Sequence, residues 1–113
     1  GVHVVHGSTV ALNALLTGAV ARTALVTNAG FADLIEIGRQ DRPELYALHP
    51  EKTPPLVPRE LRFEIEQRSW PDPRDPRRCL EVQRPSAEQL ARLVRRVRAA
   101  RPEAVAVLLL HSY

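Results

Sequence analysis

Residues 86–110 read SAEQLARLVRRVRAARPEAVAVLLL and join a capped amphipathic helix to a continuous apolar run. Ser86 as the N-cap and Gln89 three residues later form a capping box, which predicts a helix over residues 86–101 that ends before Pro102. Its apolar stripe consists of Leu90, Leu93, Val94 and Val97. Residues 105–110 are apolar without alternation, which is typical of a parallel strand buried on both faces. This order predicts an α/β fold with a mixed or parallel sheet flanked by helices.

Upstream of this unit, the N-terminal quarter of the chain predicts a second, shorter helix. Residues 10–16 carry apolar side chains that suit a helix, and Ser8 or Thr9 can serve as its N-cap. Gly18 stands where a C′ glycine ends a helix. The other elements predicted in the first third of the chain are a β-like run at 2–5, a buried strand at 23–27 and a short helix at 31–37.

The middle of the chain predicts one strand between two loops. Residues 61–66 alternate apolar and charged, which indicates a half-buried strand with its charged side chains in solvent. Those charged residues are Arg62, Glu64 and Glu66. Prolines fill the stretches 39–59 and 69–85, and because proline removes a backbone donor and fixes φ, both stretches are predicted to be loops.

The composition indicates one modest cytoplasmic domain cut from a longer protein. The chain has 113 residues and 44% hydrophobic residues, enough for one small core. It lacks Met and stops soon after an apolar run, so both ends are expected to be excised. A net charge of +3 with 4% aromatics does not favour nucleic-acid binding. Cys79 is the only cysteine, which agrees with a reducing cytosol, and no apolar run reaches the roughly 18 residues of a membrane span.

The turn His6-Gly7-Ser8-Thr9 is the first candidate site. Glycine lets the backbone approach a ligand, and the following helix start offers free N–H groups and partial positive charge. Two hydroxyls add hydrogen-bonding groups. The pattern fits a phosphate or carboxylate site, and it also fits an ordinary capped helix.

Arg39, in the loop that begins at Gly38, is the second candidate because a guanidinium binds a carboxylate or phosphate with two hydrogen bonds. The alternative is a solvated charged loop. The four histidines and Cys79 match no zinc-ligand spacing, so no metal site is expected within the chain.

Four segments together resemble the N-terminal region of the hydantoinase A, 5-oxoprolinase and acetone carboxylase family. They are HGSTVALNALL (6–16), ARTALVTNAGFADLIEIGRQDRPELYAL (21–48), PLVPRELRFEIEQR (55–68) and AVAVLLLHSY (104–113). They follow the family's order and cover most of the chain. Asn28 and Ala32 replace the Thr and Arg that are commoner in the family, and residues 69–78 look particular to this chain. The family's glycine-rich phosphate loop, expected upstream, is absent from these residues.

The resemblance implies that the chain, residues 1–113, is part of an actin- or ribonuclease H-like ATPase domain. The implied reaction is ATP-dependent opening of a cyclic amide, with 5-oxoproline ahead of hydantoins and an acetone carboxylase subunit third. The matching positions place Gly7, Ser8 and Thr9 near a phosphate or substrate oxygen, with Asn13 on the same helix face and Arg39 near a substrate carboxylate. ATP and Mg²⁺ are the implied cofactors of the parent protein.

The resemblance also implies partners for the chain. These are the remaining domains of the same enzyme, a small cyclic amide and ATP, and the parent is expected to be a homo-oligomer. The excised chain alone is expected to be inactive and to bind no cofactor. The alternative from another class is a non-catalytic interaction domain that docks through its proline-rich segments.

Overall fold

The computed structural model describes residues 9–40, 46 and 54–112 of the chain. In chain order the elements are α1 (Val10–Thr17), β1 (Thr23–Asn28), α2 (Leu34–Ile37), a 3-10 turn (Arg59–Leu61), β2 (Arg62–Ile65), β3 (Arg68–Asp72), β4 (Asp75–Gln83), α3 (Ala87–Ala99) and β5 (Ala104–Leu108). No helix among these residues is both long and apolar enough to cross a lipid bilayer. The run predicted at 2–5 and most of the loop predicted at 39–59 lie outside the described residues.

A parallel three-stranded sheet organises the fold, with β1 between β2 and β5. β1 pairs with β2 from Leu25 to Asn28, and it pairs with β5 from Thr23 to Thr27. Because β1 has a neighbour on each side, residues 24–28 are all buried. The predicted α/β class with a parallel sheet and flanking helices is confirmed, and so is the strand predicted at 23–27.

α3 covers one face of this sheet. Ala24, Val26 and Phe63 form the buried cluster on that face, and Leu93 and Val97 of the predicted apolar stripe pack against it. The capping box is also present, since the Ser86 hydroxyl accepts from the Gln89 N–H at 3.2 Å and the Gln89 side chain accepts from the Ser86 N–H at 2.7 Å. A local capping signal and an apolar stripe therefore determine where this helix starts and which face it buries.

Loss of the cap should weaken α3 by a predictable amount. We expect Ser86→Ala to lower the free energy of unfolding by about 1 kcal/mol, because the Gln89 N–H loses its acceptor. Ser86→Asp keeps an acceptor at the N-cap and should cost much less. Urea unfolding followed by circular dichroism measures both variants, and equal losses for the two would contradict the assigned role of the cap.

β5 is exposed along much of its length, so the prediction of a strand buried on both faces is wrong. Val105, Val107 and Leu108 are 50%, 60% and 62% exposed. Within the described part of the chain β5 pairs only with β1, so it forms an edge of the sheet. Its inner face opens into an apolar groove of about 750 Å³ beside α3, bordered also by Leu90 and Val94. The apolar run therefore forms a surface that the described residues leave exposed.

Most of the stretch 69–85 forms a hairpin, so the prediction of a loop there is wrong. β3 and β4 pair antiparallel, with Trp70 opposite Leu80 and Pro71 opposite Cys79. Proline is tolerated here because each strand of a two-stranded ribbon has one unpaired edge, and the pairing is irregular just after Pro71. After β4, Arg84 donates to the Glu81 carboxylate at 2.6 Å, and this hydrogen bond lowers the pKa of Glu81.

Candidate ligand site at the carboxyl edge of the sheet

The carboxyl ends of the three parallel strands converge at one edge of the sheet, where ligands bind in open α/β folds. β1 ends at Asn28, β2 is followed by Gln67 and Arg68, and β5 is followed by Leu110 and His111. The sheet register aligns these ends, because Asn28 lies beside Ile65 and Thr27 lies beside Leu108. Segments far apart in sequence therefore supply side chains to a single location.

The Asn28 side chain joins all three strand ends. It is 2% exposed, and its Nδ2 donates to the Gln67 backbone carbonyl and, at 2.8 Å, to the Gln67 side-chain oxygen. Its Oδ1 accepts from the Leu110 N–H at 2.7 Å. One buried amide thus holds the segment after β2 and the segment after β5 against the end of β1.

Glu64 fixes the turn that follows β1. Its Oε1 accepts from the backbone N–H groups of Gly30 at 2.8 Å and Ala32 at 3.3 Å. Gly30 has φ of +85°, a left-handed conformation that favours glycine. Glu64 is exposed, as the alternating pattern predicted, yet its carboxylate has a specific structural role at the sheet edge.

A small cavity of about 50 Å³ lies at the same edge. Its lining residues are Asn28, Phe31, Arg68, Ser69, Trp70, Leu110 and His111. The Trp70 and His111 rings meet edge to face, with centroids 5.6 Å apart and planes at 63°. His111 has φ of +55°, which is uncommon for a residue with a side chain. The β3–β4 hairpin therefore forms one wall of the cavity and the turn after β5 forms the opposite wall.

A buried arginine lies on the sheet face opposite α3, so the prediction that Arg62 faces solvent is wrong. Its side chain is 1% exposed, and Nη1 lies 2.7 Å from the Glu36 carboxylate and 3.3 Å from the Asp33 carboxylate. Its Nε donates to the Val57 carbonyl at 2.9 Å. The alternating pattern predicts that this face of β2 is exposed to solvent. In the structure, α2 and the segment before the 3-10 turn cover it.

The predicted residue Arg39 lies just beyond α2 and is exposed. It stands between Gly38, with φ of +56°, and Gln40, with φ of +59°. Gln40 borders an open, polar depression of about 610 Å³ together with Asp33, Glu36, Ile37 and Arg59. Arg39 is not among those lining residues, so its contact with a substrate carboxylate stays a prediction.

The predicted site at the start of α1 is only partly described. Gly7 and Ser8 lie outside the described residues. Thr9 is the N-cap of α1, its side chain makes no capping hydrogen bond, and its carbonyl accepts from the Asn13 N–H at 2.9 Å. Thr9 and Asn13 are both exposed, and no residue of α1 is buried. The predicted helix start and the C-cap at Gly18 are confirmed, while the ligand-binding roles stay predictions.

Sequence reasoning missed several residues of the carboxyl edge. Asn28 was noted only as a departure from a commoner residue, and His111 only as one of four histidines that match no zinc-ligand spacing. A signal for Asn28 existed, because it is a polar residue that ends a buried apolar strand.

Among the residues described, no three His, Cys, Asp or Glu side chains cluster closely enough to hold a metal ion.

These features define a class of protein, an α/β domain whose parallel sheet presents polar side chains at its carboxyl edge. The family described as the hydantoinase/oxoprolinase N-terminal region matches residues 2–113, and the chain belongs to that family. The resemblance seen in the sequence is thereby confirmed.

Individual relatives match in sequence or in structure. The 5-oxoprolinase PfmaA of Pestalotiopsis fici is 50% identical over 50 residues, which is 44% of this chain and 4% of that protein. The ATP-dependent caprolactamase of Pseudomonas jessenii has a TM-score of 0.73 at 28% identity, covering 94% of this chain and 15% of that one. Nucleotide-free acetone carboxylase has the same TM-score at 24% identity, covering 90% of this chain and 15% of that one, and shows the fold alone. The aligned parts of the chain span 4–7% of the length of the curated relatives that they match.

Proposed function

We propose that this chain is part of an ATP-dependent enzyme that opens cyclic amides, with 5-oxoproline as the preferred substrate and hydantoins second. The family match across residues 2–113 is the observation that carries the proposal. A sequence relative named 5-oxoprolinase and a structural relative named caprolactamase support it, because both names denote enzymes of lactams. An acetone carboxylase-type subunit is the third choice, and it rests on fold likeness.

The chemistry of a lactam explains why such an enzyme needs ATP. Amide resonance makes the ring carbonyl a poor target for water, and ATP supplies the phosphoryl group that makes the carbonyl carbon more electrophilic. The protein must then hold phosphate and carbonyl oxygens in fixed positions, which is work for aligned hydrogen-bond donors. Residues outside this chain would supply most of the ligands of the Mg²⁺ ion.

The start of α1 suits part of that work. Gly7, Ser8 and Thr9 precede a helix whose first-turn N–H groups and dipole favour an anion. The Thr9 hydroxyl is available to a ligand, because it makes no capping hydrogen bond. Asn13 lies one turn further along, and Arg39 is assigned to a substrate carboxylate. In this proposal the chain binds and orients oxygens, while other parts of the enzyme complete the site.

Turnover by the full-length protein tests the proposal. Phosphate release from ATP is measured with 5-oxoproline, hydantoin, caprolactam, or acetone with bicarbonate. We expect 5-oxoproline to stimulate release most strongly, and the 113-residue chain alone to release none. Stimulation only by acetone with bicarbonate would favour the carboxylase. Failure of every cyclic amide would show that the substrate class is wrong, and would favour a non-catalytic domain if acetone also fails.

The role of Thr9 gives a quantitative prediction. We expect Thr9→Val in the full-length protein to lower kcat/KM for 5-oxoproline about tenfold, since one hydrogen bond to the ligand is worth roughly 1.4 kcal/mol. Thr17→Val is the matched control. The Thr17 hydroxyl donates to the Asn13 carbonyl at 2.8 Å, at the far end of the same helix, so its loss should change kcat/KM less than about twofold. Equal effects of the two substitutions would remove Thr9 from the site.

A further inference from the structure

The cavity between the hairpin and the turn after β5 has a fixed floor. Asn28 forms that floor, and both its Nδ2 and its Oδ1 are occupied by hydrogen bonds within the protein. Ser69 lies beside it, and its hydroxyl accepts from the Gln67 side chain at 2.7 Å. These polar groups are engaged in holding the cavity in shape, so they contribute rigidity rather than free hydrogen-bonding capacity.

The walls offer a flat apolar surface. Trp70 is 57% exposed, and its ring is positioned by the edge contact with His111. An exposed indole held against a second ring at a ligand-binding edge is suited to packing on a small ring. At about 50 Å³ the cavity admits only one group of a small molecule, so the ring of such a ligand would lie over the exposed face of Trp70.

Arg68, which is exposed, borders the same cavity. Four arginines pair with carboxylates, namely Arg59, Arg62, Arg84 and Arg92, and most of the other described arginines do not, so what distinguishes Arg68 is its place at the cavity. Arg68 forms no ion pair with any residue that the structure describes. A guanidinium binds a carboxylate with two charge-assisted hydrogen bonds, so an arginine beside an aromatic wall is suited to the acid group of a small ring compound.

We propose that Arg68, Trp70 and His111 form a subsite for a lactam that carries a carboxylate, with the acid on Arg68 and the ring on Trp70. This rests on the proposed function, but it places on Arg68 the substrate carboxylate that the family resemblance assigns to Arg39. 5-Oxoproline carries a carboxylate, whereas 2-pyrrolidinone has the same five-membered lactam without the acid. Trp70 lies in the stretch 69–78 that departs from the family pattern, whereas Arg68 and His111 lie in segments that match it, so only the aromatic wall at Trp70 is expected to be particular to this chain.

The test measures binding and turnover of both lactams by the full-length protein. We expect Arg68→Gln to raise the Kd and KM for 5-oxoproline about tenfold or more, since it removes a charged hydrogen bond, and to change those for 2-pyrrolidinone less than about twofold. Trp70→Ala should weaken both ligands, and Trp70→Phe should restore part of the binding. Arg77→Gln, on the other strand of the hairpin, is the matched control and should change neither. Arg39→Gln separates this subsite from the carboxylate contact predicted for Arg39.

The outcomes distinguish this subsite from the proposed function. Calorimetric binding of 5-oxoproline that depends on Arg68, in a protein that does not release phosphate, would keep the subsite and reject the reaction. Turnover of 5-oxoproline that is unchanged in Arg68→Gln would keep the reaction and overturn the subsite. Equal loss of both lactams in Arg68→Gln, or no binding of 5-oxoproline by the unaltered protein, would also overturn it.

Discussion

Replacing Asn28 with Leu is expected to lower the free energy of unfolding by about 3 kcal/mol, because two backbone groups at the sheet edge lose their partners. The Leu110 N–H would have no acceptor, and the Gln67 carbonyl would lose its donor. Leucine keeps the branching of asparagine but is bulkier, so overpacking at this buried position adds to the loss of the hydrogen bonds. Urea unfolding of the 113-residue chain measures it, and protease sensitivity of the full-length protein should give the same ranking.

Asn13→Leu is the matched control for this substitution. Asn13 is exposed on α1, and its side chain makes no hydrogen bond within the described residues, so the change should stay within about 0.5 kcal/mol. A second readout is local. Hydrogen exchange at Leu110 and His111 should accelerate in Asn28→Leu before exchange in β1 does. Similar losses for both substitutions would mean that Asn28 does not tie the strand ends together.

Arg62→Met should produce the second large loss, about 2 kcal/mol. The buried Val57 carbonyl loses its donor, and methionine retains the apolar stem of the side chain. Removing one partner of a fully buried ion pair costs more than this. Here the Asp33 and Glu36 side chains are 48% and 57% exposed, so water solvates the carboxylates that remain. The midpoint of urea unfolding measures the change.

Arg59→Met provides the comparison for Arg62. Arg59 also pairs with Asp33, but its side chain is 64% exposed, and exposed ion pairs contribute little. We expect a loss below about 0.5 kcal/mol, and we expect 0.5 M salt to reduce it further. If Arg59→Met and Arg62→Met cost the same, burial would not be what distinguishes the two arginines.

The parts of the fold that the sequence predicted depend on contacts between residues close in the chain. The capping box at Ser86, the glycine stop at Gly18 and the buried strand at 23–27 all follow from local spacing. Such signals are complete within a few residues, so no knowledge of the tertiary structure is needed to recognise them. The class of fold then follows from the order of these elements.

The parts that sequence reasoning missed depend on neighbours supplied by distant segments. Arg62 matches the charged half of an alternating strand, and only the packing of α2 and Val57 shows that it is buried. The prolines of residues 69–85 indicated a loop. Composition alone could not show that these residues form a two-stranded ribbon, in which each strand has an unpaired edge that tolerates proline. Asn28 acquires its role when Gln67 and Leu110 arrive beside it.

The candidate site residues also divide into those that a local pattern predicts and those that only the folded chain brings together. Gly7, Ser8 and Thr9 were predicted because a helix start is a local pattern, and Asn13 was added by the family resemblance. Gly7 and Ser8 lie outside the described residues. The cavity at Trp70 and His111 joins two segments about forty residues apart, so no spacing rule could have indicated it. Arg68 was quoted within a matching segment, but only the folded chain shows that it lies beside Trp70 and His111 at one cavity.

Trp70 is the only tryptophan in these 113 residues. Its intrinsic fluorescence therefore reports on the carboxyl edge alone, without any attached dye. The emission wavelength of an indole depends on the polarity around the ring. Displacement of water from that edge would therefore change the wavelength and the intensity of the Trp70 emission. The domain consequently carries its own optical sensor at the location where selectivity is proposed to arise.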